Sequence, residues 1–248
     1  MEKDAVRLHF GYSMAYINFD NVTVAYPIYN GGAKSLTNNL INIGTGGRVT
    51  KGSGSVVAIT ALENVSFKLS DGDAIGLIGH NGAGKTTLLR TMAGIYTPVS
   101  GTVIKSGKIS TIIELGAGLD SELTGYENIY RMGLLLGMSK KEIDNLMPSI
   151  EIFTELGNFL EAPVRTYSSG MLMRLMFAVN TATMPEILIV DEMFGTGDKG
   201  FQEKAEHRMK NVISAAKIFV FASHSDYLIE KFCNRVFELK HGHLCEVH

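Results

Sequence analysis

No uninterrupted apolar run in the 248-residue sequence approaches the roughly 20 residues that a membrane-spanning helix needs. An intrinsic membrane span is therefore not expected, and any work at a membrane must be done by docking to a protein that crosses it. Charge of one sign is also scarce: the formal net charge is −2, which offers no overall electrostatic reason to bind nucleic acid. Cysteine is limited to Cys233 and Cys245, and no cationic, apolar signal segment opens the chain, so a reducing compartment is expected. Lys231, His241, His243 and His248 surround the cysteines, but their spacing matches no zinc pattern and the stretch reads as a surface tail. Internal repeats, a long coiled-coil insertion and a strongly basic segment are all missing.

What the chain does have is 45% apolar residues and 27 glycines, the composition of a folded chain with a substantial core and many turns. Strand-like segments such as Tyr16-Ile17-Asn18-Phe19 open it. Residues 28–54 are rich in Gly, Asn, Thr and Ser and read as a loop-rich insertion, with a short helix around 36–41. Two strands are expected at 56–61 and 65–69, followed by the turn Ser70-Asp71-Gly72-Asp73. Residues 123–182 read as mostly helical, with Thr124 opening one helix and a capping box from Ser139 to Glu142 opening another. Short apolar strands at 187–190 and 218–222 flank a helical stretch at 201–216, and a strand region at 232–239 follows. This order predicts an α/β fold in a single domain over 1–248. A mainly parallel core sheet would hold its ligand at the strand ends, with a helical subdomain at about 120–182 inserted after the glycine loop.

The most specific pattern is Gly79-His80-Asn81-Gly82-Ala83-Gly84-Lys85-Thr86, which stands between the apolar run 74–78 and an apolar helical run that begins after Thr87. It satisfies the complete phosphate-loop pattern in the strand-to-helix context that the pattern requires. Glycines let the backbone wrap closely around phosphates, and exposed amides at a helix start face the negative charge. In that reading Lys85 meets the terminal phosphates of ATP and the Thr86 hydroxyl ligates Mg²⁺.

Ile187-Leu188-Ile189-Val190-Asp191-Glu192 supplies a complementary half. An apolar strand ending in two carboxylates can set Asp191 beside Mg²⁺ and leave Glu192 next to an attacking water as general base. A solvated acidic turn is the plain alternative. His224 follows the apolar run 218–222, so it also sits just past a strand end, where a neutral imidazole can donate to a γ-phosphate or orient water.

Together with Tyr167-Ser168-Ser169-Gly170-Met171, just ahead of the acidic strand, these motifs resemble the ATP-binding subunit of ABC transporters. The resemblance implies a P-loop NTPase of the ABC ATPase type, with an antiparallel β subdomain beside the parallel core and the helical subdomain. Ser168, Ser169 and Gly170 look like the signature segment that offers a helix start to ATP held by the opposite subunit of a head-to-tail homodimer. Ser169 stands where the family usually has glycine, and Met171 where it has glutamine. Tyr26 matches the aromatic that stacks on adenine, a core or edge-strand tyrosine being the alternative. Thr87 extends the nucleotide-binding loop. Glu114 occupies the place of a glutamine that contacts Mg²⁺ and water, and an ionised carboxylate there can only accept hydrogen bonds. Asp198, after Gly195-Thr196-Gly197, corresponds to a subunit contact, and His224 to the switch histidine.

The residues Glu114-Leu115-Gly116-Ala117-Gly118, those from Glu122 to Tyr130, Tyr167 to Met171, and Gly197-Asp198 with Phe201-Gln202 are similar to the branch that exports undecaprenyl-linked polysaccharides, especially lipopolysaccharide O-antigen. That likeness implies two transmembrane permease subunits as partners and a peripheral place on the cytoplasmic face of the bacterial inner membrane. The sequence after the last strand region is too short for the carbohydrate-binding domain that some such exporters carry. Teichoic acid, capsule or another lipid-linked substrate is the neighbouring reading. A soluble ABC-type ATPase of DNA repair or translation, and a regulator that binds ATP without turnover, are the readings from other classes.

Overall fold

The computed structural model describes residues 14–28, 49–51, 57–113, 115–191 and 199–247. Glu114, Glu192, Asp198, His248, the expected short helix at 36–41 and most of the 28–54 insertion lie outside the described residues. Two sheets organise the rest. The smaller is antiparallel: β1 (Tyr16–Ile28), β2 (Val49–Lys51), β3 (Val57–Ser70) and β5 (Ser100–Ser106), in the order β2-β3-β1-β5. The larger contains β4 (Ala74–Ile78), β6 (Ile109–Ile112), β7 (Ile187–Asp191), β8 (Ile218–Ala222), β9 (Arg235–Lys240) and β10 (His243–Glu246). Its order is β10-β9-β4-β8-β7-β6, with every pairing parallel except the β9–β10 hairpin.

The central strands are apolar at nearly every position because both faces of the larger sheet are covered. Ile187, Ile189, Ile218 and Val220 face Ile17, Phe19 and Leu69 of the antiparallel sheet, and α1 (Lys85–Ala93) inserts Leu88, Leu89 and Met92 into the same core. Leu188, Val190, Phe219 and Phe221 point the other way, into a second core with the remaining helices. These are α2 (Gly125–Leu135), α3 (Lys140–Thr154), α4 (Ser169–Asn180), α5 (Lys199–Ala215) and α6 (Asp226–Phe232).

The helical segment is held by its caps and by one buried amide. Thr124 and Ser139 each form a capping box, with Glu127 and Glu142 respectively, so orphan donors at the starts of α2 and α3 are satisfied. Asn128 is fully buried. Its amide donates to the carbonyls of Asp120, Leu123 and Thr124 at 2.9, 3.2 and 2.9 Å and accepts from the Asp120 N–H at 2.8 Å, which ties the loop before α2 to the helix. Helix α5 is fastened to this segment by Arg208, which stacks over Phe153 at 4.2 Å and donates to the Thr181 and Ala178 carbonyls at 3.2 and 3.4 Å.

Four local expectations are corrected. Residues 49–51, inside the stretch read as loop, form strand β2 on β3. The two strands expected at 56–61 and 65–69 are one strand, β3: its pairing with β1 shifts register, and Asn64 takes a positive φ of 50° at the irregularity, so the chain bends without breaking the ladder. Helix α6 runs through Phe232, and the strand expected from 232 begins only at Arg235. The supposed surface tail is a hairpin built into the main sheet, with Phe237 and Leu239 alternating into the core. Cys233 packs against the core, and burial pushes its thiol pKa up to about 12.

Two outcomes follow from this packing. Asn128→Ala removes the fully buried amide and leaves the part-buried Asp120 N–H without its acceptor, which lowers stability by about 1–3 kcal/mol, read as a fall of several degrees in Tm. Iodoacetamide applied to the native protein at neutral pH labels exposed Cys245 while Cys233 reacts at least about a hundredfold more slowly, because its thiolate is scarce; peptide mass spectrometry checks this.

Candidate active site

The ends of β4, β8 and β7 are level: Leu77 pairs with Ala222, and Ala222 with Asp191. Beyond Ile78 the chain turns through 79–84 and enters α1 at Lys85. Glycine is required here for both conformation and space. Gly84 has a φ of 112°, and a Cβ on it would stand 2.7 Å from the Ala61 carbonyl oxygen; Gly79 has a φ of 151°, and its Cβ would stand 2.5 Å from the Leu239 carbonyl oxygen. The loop is thus clamped between β3 of the small sheet and β9 of the large one.

The Lys85 ammonium folds back over the loop, donating to the Gly79 carbonyl at 2.6 Å and the His80 carbonyl at 3.3 Å. One residue on, the Thr86 hydroxyl donates to an Asp191 carboxylate oxygen at 2.7 Å. Tyr26, near the end of β1, donates its hydroxyl to Thr87 Oγ1 at 3.1 Å. Burial chiefly, opposed in part by that hydrogen bond, raises the Tyr26 pKa, so the phenol stays neutral. A cavity of about 520 Å³ is lined by Tyr26, His80, Asn81, Gly82, Ala83, Gly84, Lys85, Thr86, Thr87, Asp191 and His224, with Ile59, Ala61 and Ile113 as apolar wall.

Most of the residues singled out by motif are therefore neighbours in space. Gly79 belongs to the same loop through its bond to Lys85. Ser168, Ser169 and Gly170 do not line this cavity. Ser168 is the N-cap of α4, its hydroxyl accepting from the Met171 N–H at 3.2 Å, with Ser169 and Gly170 in the first turn behind it. Ile59 and Ala61 on β3, and Ile113 just past β6, are marked by no motif; apolar character is their only signal. Chemically, the loop combines a helix start and an ammonium suited to polyphosphate with a hydroxyl and a carboxylate on one side of it.

Strand, phosphate loop, helix and a carboxylate at the end of a neighbouring strand define a P-loop nucleotide hydrolase. The ABC transporter family model matches residues 62–195. The O-antigen export system ATP-binding protein RfbE of Yersinia enterocolitica is 60% identical over 94% of this chain and 98% of that protein. The O-antigen export system ATP-binding protein RfbB of Klebsiella pneumoniae is 39% identical over 93% of this chain and 92% of its own length. The dimeric post-hydrolysis structure of the ATP-binding cassette MJ0796 bound to ADP and Pi superposes with a TM-score of 0.65 at 22% identity, covering 93% of this chain and 97% of that one, a likeness of fold. The chain belongs to the ABC transporter family, as an ATP-binding subunit and ATPase close to the O-antigen exporter ATPases. The small antiparallel sheet, the mainly parallel core and the helical segment are the parts of that fold.

Lys85→Ala removes the cation that sits on the phosphate loop. The variant is expected to weaken ATP binding at least about tenfold, measured by calorimetric titration, while circular dichroism stays that of the parent.

Proposed function

We propose that this protein is the ATP-hydrolysing subunit that drives export of undecaprenyl-linked O-antigen polysaccharide across the cytoplasmic membrane. The bond from Thr86 to Asp191 beneath the phosphate loop carries the chemical part of this reading, because it joins two motifs 105 residues apart at one cavity. The cargo is supported by the near full-length 60% identity to the O-antigen export protein of Yersinia enterocolitica.

The Thr86 hydroxyl and the Asp191 carboxylate are both hard oxygen donors, adjacent and beside the phosphate loop, and this pair fits Mg²⁺. Bound there with ATP, the ion would neutralise charge on the β- and γ-phosphates. Lys85 and the amides of the phosphate loop hold the terminal phosphates, Gly79 and Gly84 allowing the close backbone approach. The neutral phenol Tyr26 lines the cavity and offers its ring to the adenine. Glu192, next in the chain to Asp191, takes the proton from the attacking water; Glu114 senses the metal and the contact with a partner. His224, on the cavity wall, donates to the transferring phosphoryl group.

Ser168, with Ser169 and Gly170 in the helical turn behind it, is outside this cavity and has a helix start to offer. A head-to-tail homodimer gives that helix start the phosphate of a second copy, so ATP joins the two chains, hydrolysis releases them, and Asp198 serves the contact between them. No helix among the described residues is long and apolar enough to cross a membrane, and the motion reaches the lipid-linked glycan through two transmembrane permease subunits. The protein would then sit peripherally on the cytoplasmic face of the inner membrane, with no direct nucleic acid partner.

Glu192→Gln is expected to bind ATP normally, to persist as an ATP-bound dimer in size-exclusion chromatography, and to lose turnover by about 10²–10⁴-fold; near-normal single-turnover hydrolysis would remove Glu192 from its role. Reconstitution with the genetically adjacent membrane subunit tests the cargo. Lipid-linked O-antigen should raise ATP turnover, and stimulation by teichoic acid polymer alone would reassign the substrate.

A further inference from the structure

The adenine side of the cavity has a feature that no motif marks. Helix α1 ends in a turn closed by Gly94, whose left-handed φ of 85° lets its N–H reach back to the Arg90 and Thr91 carbonyls. The next two amides, of Ile95 and Tyr96, also point to the Arg90 carbonyl, at 2.9 and 3.3 Å. This compact turn brings the half-buried Tyr96 side chain back over the helix it has just left. There the Arg90 guanidinium donates to the Tyr96 hydroxyl at 2.9 Å and lies 5.7 Å from the centre of its ring. Tyr96 in turn meets Tyr26 nearly at right angles, with ring centres 5.6 Å apart and an interplanar angle of 77°. Tyr26 is held at its other end by the hydroxyl bond to Thr87.

Tyr26 is thus fixed at two points. Thr87 sets the height of the phenol above the phosphate loop, and Tyr96 sets the tilt of the ring. Thr87 and Arg90 are three residues apart on α1, on one face of the helix, so both tethers come from the same rigid element that carries Lys85 and Thr86. Tyr96 does not line the cavity. We infer that Tyr96, anchored by Arg90, is a positioning residue for nucleotide recognition: it pre-sets the Tyr26 ring for the planar base, so that base and phosphates are received by groups registered on one helix. The inference rests on the reading that Tyr26 meets adenine, and it assigns a role to a residue that touches neither base nor phosphate. Its physical content is pre-organisation, because a ring already held in its binding orientation loses less freedom when the base arrives.

The test compares ATP with inorganic tripolyphosphate, which carries three linked phosphates and neither base nor ribose. Dissociation constants for both, the second by competition, are measured for the parent, Tyr96→Ala, Tyr96→Phe and Tyr26→Ala, with KM and kcat for ATP and a thermal melt of each variant. Tyr96→Ala is expected to raise the ATP Kd and KM about three- to tenfold, the size of an aromatic pair contact, with kcat and the tripolyphosphate Kd unchanged. Tyr96→Phe keeps the ring and loses the hydroxyl's bonds to Arg90 and Tyr26, so it should fall between Tyr96→Ala and the parent. An unchanged ATP Kd in Tyr96→Ala, or an equal loss of ATP and tripolyphosphate affinity, overturns the inference. Tyr26→Ala separates the layers: if it leaves the ATP Kd unchanged, the adenine reading of Tyr26 itself is wrong, whereas a loss there with none in Tyr96→Ala defeats the positioning role alone.

Discussion

Leu77, Ala222 and Asp191 stand abreast on three neighbouring parallel strands, and the geometry of the site depends on that alignment. The parallel ladder stops at one edge, so the phosphate loop leaving β4, the carboxylate at the end of β7 and the histidine just past β8 face one cavity although they are far apart in the chain. A shift of one residue in the register of β7 would turn Asp191 to the opposite face of the sheet and break its bond to Thr86. The burial of both faces prevents such a shift, since Ile187 and Ile189 belong to one core and Leu188 and Val190 to the other. Placement of the cavity's side chains is in this sense a by-product of packing.

The antiparallel sheet contributes more than cover. Its strand β3 brings the Ala61 carbonyl against Gly84, while β9 brings the Leu239 carbonyl against Gly79. The phosphate loop is therefore moulded from both sides by backbone, which limits its shape even before any ligand arrives. The same sheet delivers Tyr26 to α1, where Thr87 meets it, with Tyr96 meeting it from the turn just past the helix. Lys85, Thr86 and the Thr87 partner of Tyr26 are thus consecutive on one helix.

The parts legible in the sequence were those where spacing and chemistry coincide. Gly79 to Thr86 could be read because glycine positions and a lysine are needed together, and Asp191 because a carboxylate ended an apolar strand. The capping box at Ser139 was visible for a similar reason, since two residues three apart satisfy each other's backbone, whereas at Thr124 only the helix start was read and the box with Glu127 is a finding of the structure. What escaped was governed by partners distant in sequence. The unity of β3 depends on a bulge opposite β1, and the incorporation of 235–246 into the main sheet depends on pairing with β4 and on the alternation of Phe237 and Leu239. Ile59, Ala61 and Ile113 carry no signature of their own, because an apolar residue on a cavity wall looks like any other apolar residue.

Helix α4 has a consequence that its sequence motif alone does not convey. Its first turn is capped by Ser168, and its last residue, Asn180, donates its side-chain amide to the Leu115 carbonyl at 3.0 Å, beside Glu114 in the chain. Twelve helical residues make a stiff rod about 18 Å long. The rod therefore keeps its Ser168 cap and the Leu115 carbonyl at a fixed spacing.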